Sequence, residues 1–242
     1  MRSSALLLLL ALPAAAEPPR PRLAVVIDDF GFDSRRTPKD EEWAALPFPA
    51  SFAVMPASPR TRQAAAVLRA AGREVLVHFP FDPFLPLTLP EDALDPQDWA
   101  KVEALLERSL REVPGAAGLN NHVSPRATRN RPLMRAFMAR LKGRVGFFLD
   151  SRVTASSVAY EEARAAGVPA VREYTFLDTD RPGDAEFCAA MLHRAAARAR
   201  RAGEAVAIGH HYHRATLDCL RAELPRLEAS GVELVLASRL AR

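Results

Sequence analysis

The chain lacks the features that would tie it to nucleotides, nucleic acids or a bilayer. No glycine-rich loop of the GxxxxGKS/T or GxGxxG kind occurs in its 242 residues, which weakens a nucleotide-binding reading. No internal repeat is present, so a solenoid or propeller is not indicated. Basic residues number 33 against 29 acidic ones. They are nearly all arginine and scattered along the chain, a pattern of composition bias and not a nucleic-acid footprint. Cysteine is almost absent. Cys188 and Cys219 both fall in helical patterns, where buried free thiols are the ordinary expectation, although an oxidising compartment would permit a bridge. Beyond the first residues, no segment approaches the roughly 20 apolar residues of a membrane span.

The amino terminus is different. Arg2 precedes the apolar block Ala5 to Leu12, and Ala14-Ala15-Ala16 supplies small residues at the spacing a signal peptidase accepts. Residues 1–16 therefore read as a cleaved signal peptide and 17–22 as a proline-rich linker. The mature protein is expected to be periplasmic or secreted. The remaining 23–242, in a chain of 49% hydrophobic content, is enough for one domain with one substantial core.

Strand and helix patterns alternate along that domain. Apolar runs at 23–27, 50–55, 74–77, 145–149, 168–171, 205–208 and 233–236 read as strands, with a further short one at 115–119. Helices are expected at 61–71, 95–112, 130–141, 157–166 and 184–202, and from Thr216 onward, where Pro225 should kink or split the last one. A proline-rich loop separates the third strand from the second helix. Interleaving of this kind implies parallel pairing, and the expected fold is α/β, a distorted (β/α) barrel of about seven parallel strands. An open doubly wound sheet is the competitor.

Polar residues gather where these strands stop. Asp28-Asp29 ends the first strand, His78 the third, and Asn120-Asn121-His122 follows the possible fourth. Asp150, Arg172 and His210-His211 follow later ones. Parallel strands would bring all of these to one rim, where barrel enzymes keep their active sites. One carboxylate with two imidazoles is a common shell for catalytic zinc and related ions, and Asp29, His78 and His122 would supply it. Asp28 is then free to take a proton. A bend at Phe30-Gly31 could turn both aspartates inward.

The segments Val26-Ile27-Asp28-Asp29-Phe30-Gly31, Glu74 to Pro80, Gly118 to His122, Phe148-Leu149-Asp150-Ser151, Phe176-Leu177-Asp178 and Ala207 to His210 resemble the divergent polysaccharide deacetylases, in order and across nearly the whole mature chain. That resemblance implies a distorted barrel with a divalent metal, usually zinc, at its rim, and removal of N-acetyl groups from chitin-like or envelope polysaccharides. It implies Asp28 as base, Asp29 as metal ligand, His78 as the first metal histidine, and His210 as the group that protonates the departing amine. The wider superfamily places its second metal histidine four residues after the first, where this chain has Asp82. The divergent group's Asn-Asn-His segment assigns that ligand to His122 instead, with Asp82 as a spare. Arg172 is expected to orient Asp28, or else to make a surface salt bridge. Asp150, Asp178, Asn121 and His211 are expected to support the site or touch substrate, and which of His210, His211 and His213 faces substrate is open. The partner expected is a polysaccharide or oligosaccharide, with oligomeric state left open. Two rival readings remain: a non-catalytic glycan-binding or envelope scaffold that keeps the fold, and a metal-dependent phosphoester hydrolase, which would need a second metal with bridging carboxylates.

Overall fold

The computed structural model describes residues 19–32 and 37–242. The expected signal peptide 1–16, and Glu17 and Pro18 of the linker, lie outside the described residues. The first strand, β1 (Arg22–Phe30), is buried from Leu23 to its end. It can be apolar on both faces because it is central: β8 (Glu204–His210) runs along one side, and β9 (Glu233–Val235) and β2 (Ser51–Val54) share the other. From β2 the sheet continues through β3 (Glu74–Pro80), β4 (Gly118–His122), β5 (Phe147–Asp150) and β6 (Ala170–Arg172). Beyond β8 it ends at β7 (Thr175–Phe176). Every pairing is parallel.

β6 and β7 do not pair, so the curled sheet is a half-barrel with an open seam. Helices α2 (Thr61–Ala70), α3 (Pro96–Glu112), α4 (Arg131–Leu141), α5 (Ala159–Ala166), α6 (Ala185–Ala202) and α7 (Arg214–Ala229) supply the outer layer. Strand alternation sorts the side chains. Leu23, Val25 and Ile27 of β1 join Val75, Val77 and Phe79 of β3 in the large core under the helices. Ala24, Val26, Leu76, Leu149, Val206 and Ile208 fill the concave interior, plugged by Ala237 and Leu240 near the chain end.

The expected strands and helices are present with shifted ends, and four elements depart from expectation. The strand expected at 115–119 is β4 at 118–122, running through Asn-Asn-His, because β3 and β5 on either side satisfy its backbone. A short helix, α1 (Asp40–Ala44), and the two-residue β7 were not expected; neither is long enough to show periodicity. The last helix is one element through Pro225, neither split nor ended, with buried Leu220, Leu224 and Leu227 anchoring it on both sides of the proline.

Cys188 and Cys219 are joined in a disulfide, not free. α6 and α7 pack side by side and bring their Cα atoms to 6.4 Å, inside the range a bridge spans. The bridge closes a loop of sequence separation 31. A Cys188→Ala/Cys219→Ala variant is therefore expected to lose about 2–4 kcal/mol of stability, read by urea unfolding under oxidising conditions. On the concave face, Gly118 leaves room for the Phe147 ring, which a Cβ would meet at 2.6 Å. Gly118→Ala is expected to cost about 1–3 kcal/mol through overpacking, measured as a lowered thermal midpoint.

Candidate active site and metal centre

Parallel pairing puts the carboxyl ends of all strands at one rim. On β1, Ala24, Val26 and Asp28 share the inner face, so Asp29 should point outward to the helices. It does not, because its backbone turns into the left-handed region at φ 71°, and the pairing with β2 is interrupted between Ile27 and Phe30. The bend thus begins at Asp29, before the expected Phe30-Gly31, and continues through Gly31 at φ 102°. Aspartate tolerates this conformation better than most residues with a Cβ. His78 follows Leu76 on the inner face of β3, and Asn120 and His122 share the inner face of β4.

The result is a triangle. Asp29 Oδ1 lies 3.0 Å from His78 Nε2 and 3.0 Å from His122 Nδ1, and the two ring nitrogens are 2.9 Å apart. All three residues are buried, and they form the one group among the described residues that could hold a metal through three such ligands. Asn120 Oδ1 takes the Nδ1 hydrogen of His78 at 2.9 Å, which leaves a lone pair on Nε2 facing the carboxylate oxygen. Asp29 Oδ1 and His122 Nε2 are buried without a hydrogen-bond partner of ordinary geometry. The converging atoms Asp29 Oδ1, His78 Nε2 and His122 Nδ1, about 3 Å apart, match neighbouring ligands of a cation whose bonds are about 2.0–2.2 Å long. The donor set fits a divalent cation. Burial by itself would raise the Asp29 carboxyl, but the facing imidazoles of His122 and His78 outweigh it and hold Asp29 well below the usual carboxylate range.

Asp28 stands just outside the triangle, with Oδ2 3.6 Å from His78 Nε2. Asn120 Nδ2 donates to both of its oxygens at 2.9 and 3.1 Å, and lies 3.2 Å from Ser151 Oγ. Burial pushes the Asp28 carboxyl up, over the opposing pull of His78 and His210. Asn120 thus connects the candidate ligand His78 to Asp28. The sequence reading missed this role and chose Asn121, which lines the mouth and ties Val123 O and Ser151 N at the strand ends. The i, i+2 spacing of Asn120 and His122 was the available signal.

On the neighbouring strand β8, His210 is paired in register with Asp28. Its Nδ1–H donates to Asp178 Oδ1 at 2.6 Å, while Asp178 Oδ2 accepts from His210 N at 2.9 Å and Thr216 Oγ1 at 2.7 Å. The imidazole lies between Phe176 and Tyr212, with ring centroids 6.0 and 5.6 Å away. Burial opposes charge on this ring, but Asp178 overcomes it and pushes the pKa up to about 9. A cavity of about 470 Å³ joins Asp28, Asp29, His78, His122, His210 and His213.

Other expected site residues are elsewhere. His211 is fully buried behind the site, between Phe30 and Asp40, and does not face the cavity. Asp82 accepts from the amides of Arg126 and Ala127, capping the turn after β4, so the spare ligand is engaged on backbone. Asp150 faces the helices and accepts from Ser157 Oγ, Arg152 N and Tyr160 N. Arg172, on the edge strand β6, is exposed 3.7 Å from Glu161 and over the Tyr160 ring; orientation of Asp28 falls to Asn120 instead.

The chain belongs to the divergent polysaccharide deacetylase family, whose pattern matches residues 25–241. It is 34% identical over 220 residues to the uncharacterized protein YibQ of Escherichia coli strain K12, covering 90% of this chain and 67% of that protein. The chain thus spans about two thirds of that relative's length. An uncharacterized protein from Agrobacterium tumefaciens C58 has a similar fold, with a TM-score of 0.79 at 21% identity over 93% of this chain and 91% of that one. The catalytic domain of a peptidoglycan N-acetylglucosamine deacetylase from Eubacterium rectale superposes with a TM-score of 0.55 at 12% identity, covering 94% of each chain.

His210 supplies a test of the electrostatics. Its folded pKa of about 9 exceeds the ordinary value of about 6.5, so its stabilising contribution is complete below about 6.5 and is lost as pH rises through about 9. The ring is expected to titrate near 9 by NMR, and Asp178→Asn to return it toward 6.5.

Proposed function

We propose that the protein is an exported, metal-dependent deacetylase that hydrolyses N-acetyl groups of an envelope or chitin-like polysaccharide. The observation that carries this reading is that Asp28 and His210 border the same cavity as the Asp29, His78 and His122 cluster, each oriented by its own partner. Asp29, His78 and His122 would hold a divalent cation, with zinc the best match to one carboxylate and two imidazoles, and that ion would supply a lowered water pKa and polarisation of the acetamide carbonyl. Asp28, fixed by Asn120, takes the proton of the attacking water. His210, charged at neutral pH and with Nδ1 committed to Asp178, presents its other ring nitrogen and gives a proton to the departing amine. Acetate and a free amino sugar leave.

The rim suits a saccharide. Of the four exposed large hydrophobic side chains among the described residues, three border this mouth: Phe84, whose ring is 4.6 Å from that of His122, with Val123 and Tyr212 lining its edge. Aromatic faces in water next to polar groups favour the apolar faces of sugar rings. The disulfide between α6 and α7 supports export to an oxidising compartment.

The mature protein is expected to hold about one zinc per chain and to release acetate from N-acetylglucosamine oligomers. Asp28→Asn is expected to keep its metal and lose activity by about 10²- to 10⁴-fold, whereas Asp29→Asn is expected to lose the metal. Metal-loaded wild type that binds the oligomers and releases no acetate would establish the scaffold reading in its place.

A further inference from the structure

The open seam between β6 and β7 leads into the barrel, and a cavity of about 450 Å³ occupies it. None of Asp29, His78 and His122 reaches it. The turn after β5 divides the two cavities, since Ser151 and Val153 line the metal-site mouth and Arg152 the seam. The seam floor is apolar, made by Val171, Val206 and Leu240. Its walls are arginines from separate elements: Arg152 after β5, Arg164 on α5, Arg172 on β6, Arg198 on α6 and Arg242 at the chain end.

Two of these are neutralised locally. Arg242 pairs with Glu204, which also binds Arg22 at 2.7 Å, and Arg172 lies 3.7 Å from Glu161. Arg152, Arg164 and Arg198 have no carboxylate within ion-pair distance among the described residues. Tyr174 stacks beneath Arg198, with the guanidinium carbon 5.7 Å from the ring centroid, which orients its donor plane.

Glu173 shares this cleft. It is 6% exposed, lines the cavity, and its side chain has no hydrogen-bond or ion-pair partner among the described residues. Burial pushes its carboxyl up to about 8, so at neutral pH it adds little negative charge and can both donate and accept. Unpaired guanidiniums sharing one cleft repel one another, and an oxyanion relieves that repulsion while matching their forked donors. The volume is that of a site for a small organic ligand and is more than a bare ion needs.

We propose that the seam cavity is a second ligand site, taking a sugar-sized molecule that bears a phosphate group, with Arg164 and Arg198 on the phosphate and Glu173 on a hydroxyl of its body. This inference does not depend on the deacetylase reading. Calorimetric titration of the mature protein with glucose 6-phosphate, inorganic phosphate and glucose tests it. Glucose 6-phosphate is expected to bind about tenfold more tightly than either of the others, and Arg164→Ser/Arg198→Ser to weaken it by about tenfold or more. Both arginines are exposed, so the fold should survive, and Arg62→Ser on α2 is expected to change nothing. Glu173→Gln, which keeps a donor and an acceptor, is expected to retain binding that Glu173→Leu loses. Absence of glucose 6-phosphate binding, or binding unmoved by the double variant, overturns the site. Equal binding of inorganic phosphate overturns the sugar-sized body.

Discussion

The left-handed turn at Asp29 is the constraint on which the candidate centre rests. A strand that kept its alternation would send Asp28 inward and Asp29 into the helical layer, where an unpaired carboxylate costs several kcal/mol. Turning at Asp29 instead aims two consecutive carboxylates at the same rim and returns Phe30 to the outer core, where it packs edge-on against Phe52 and Trp43. The core residues on either side therefore hold the strained position in place.

Around that turn, polar groups are arranged in two supported pairs. Asn120, on the strand paired with that of His78 and three along from that of Asp28, bonds to both, so candidate ligand and candidate base are oriented by one amide. Asp178 grips His210 through ring, backbone and the Thr216 hydroxyl. Against this satisfied surround, the unpartnered Asp29 Oδ1 is conspicuous. Buried polar atoms are rarely left without partners, and the neighbouring ring nitrogens make a cation the natural partner here.

Much of this was legible in residue order. The carboxylates and histidines at strand ends follow apolar runs too clear to misread, and parallel pairing follows from their interleaving with helices. What was illegible has a common cause. Asn120 and Asn121 are chemically identical neighbours, and only the register of β4 against β3 says which one reaches His78. Arg172 looked suited to hold Asp28, but its strand lies at the sheet edge, two strands beyond β4. His211 differs from His210 only by the alternation of β8 and the packing of α1 behind it.

The sequence by itself determined the family pattern, the parallel α/β architecture and the short set of side chains able to ligate a cation, because periodicity and residue chemistry are local properties. The tertiary structure alone decided which of those side chains meet, that the barrel stays open between β6 and β7, and that the two cysteines pair. Those outcomes depend on the order in which strands lie side by side and on backbone turns at single residues, and distance in space is not written in distance along the chain.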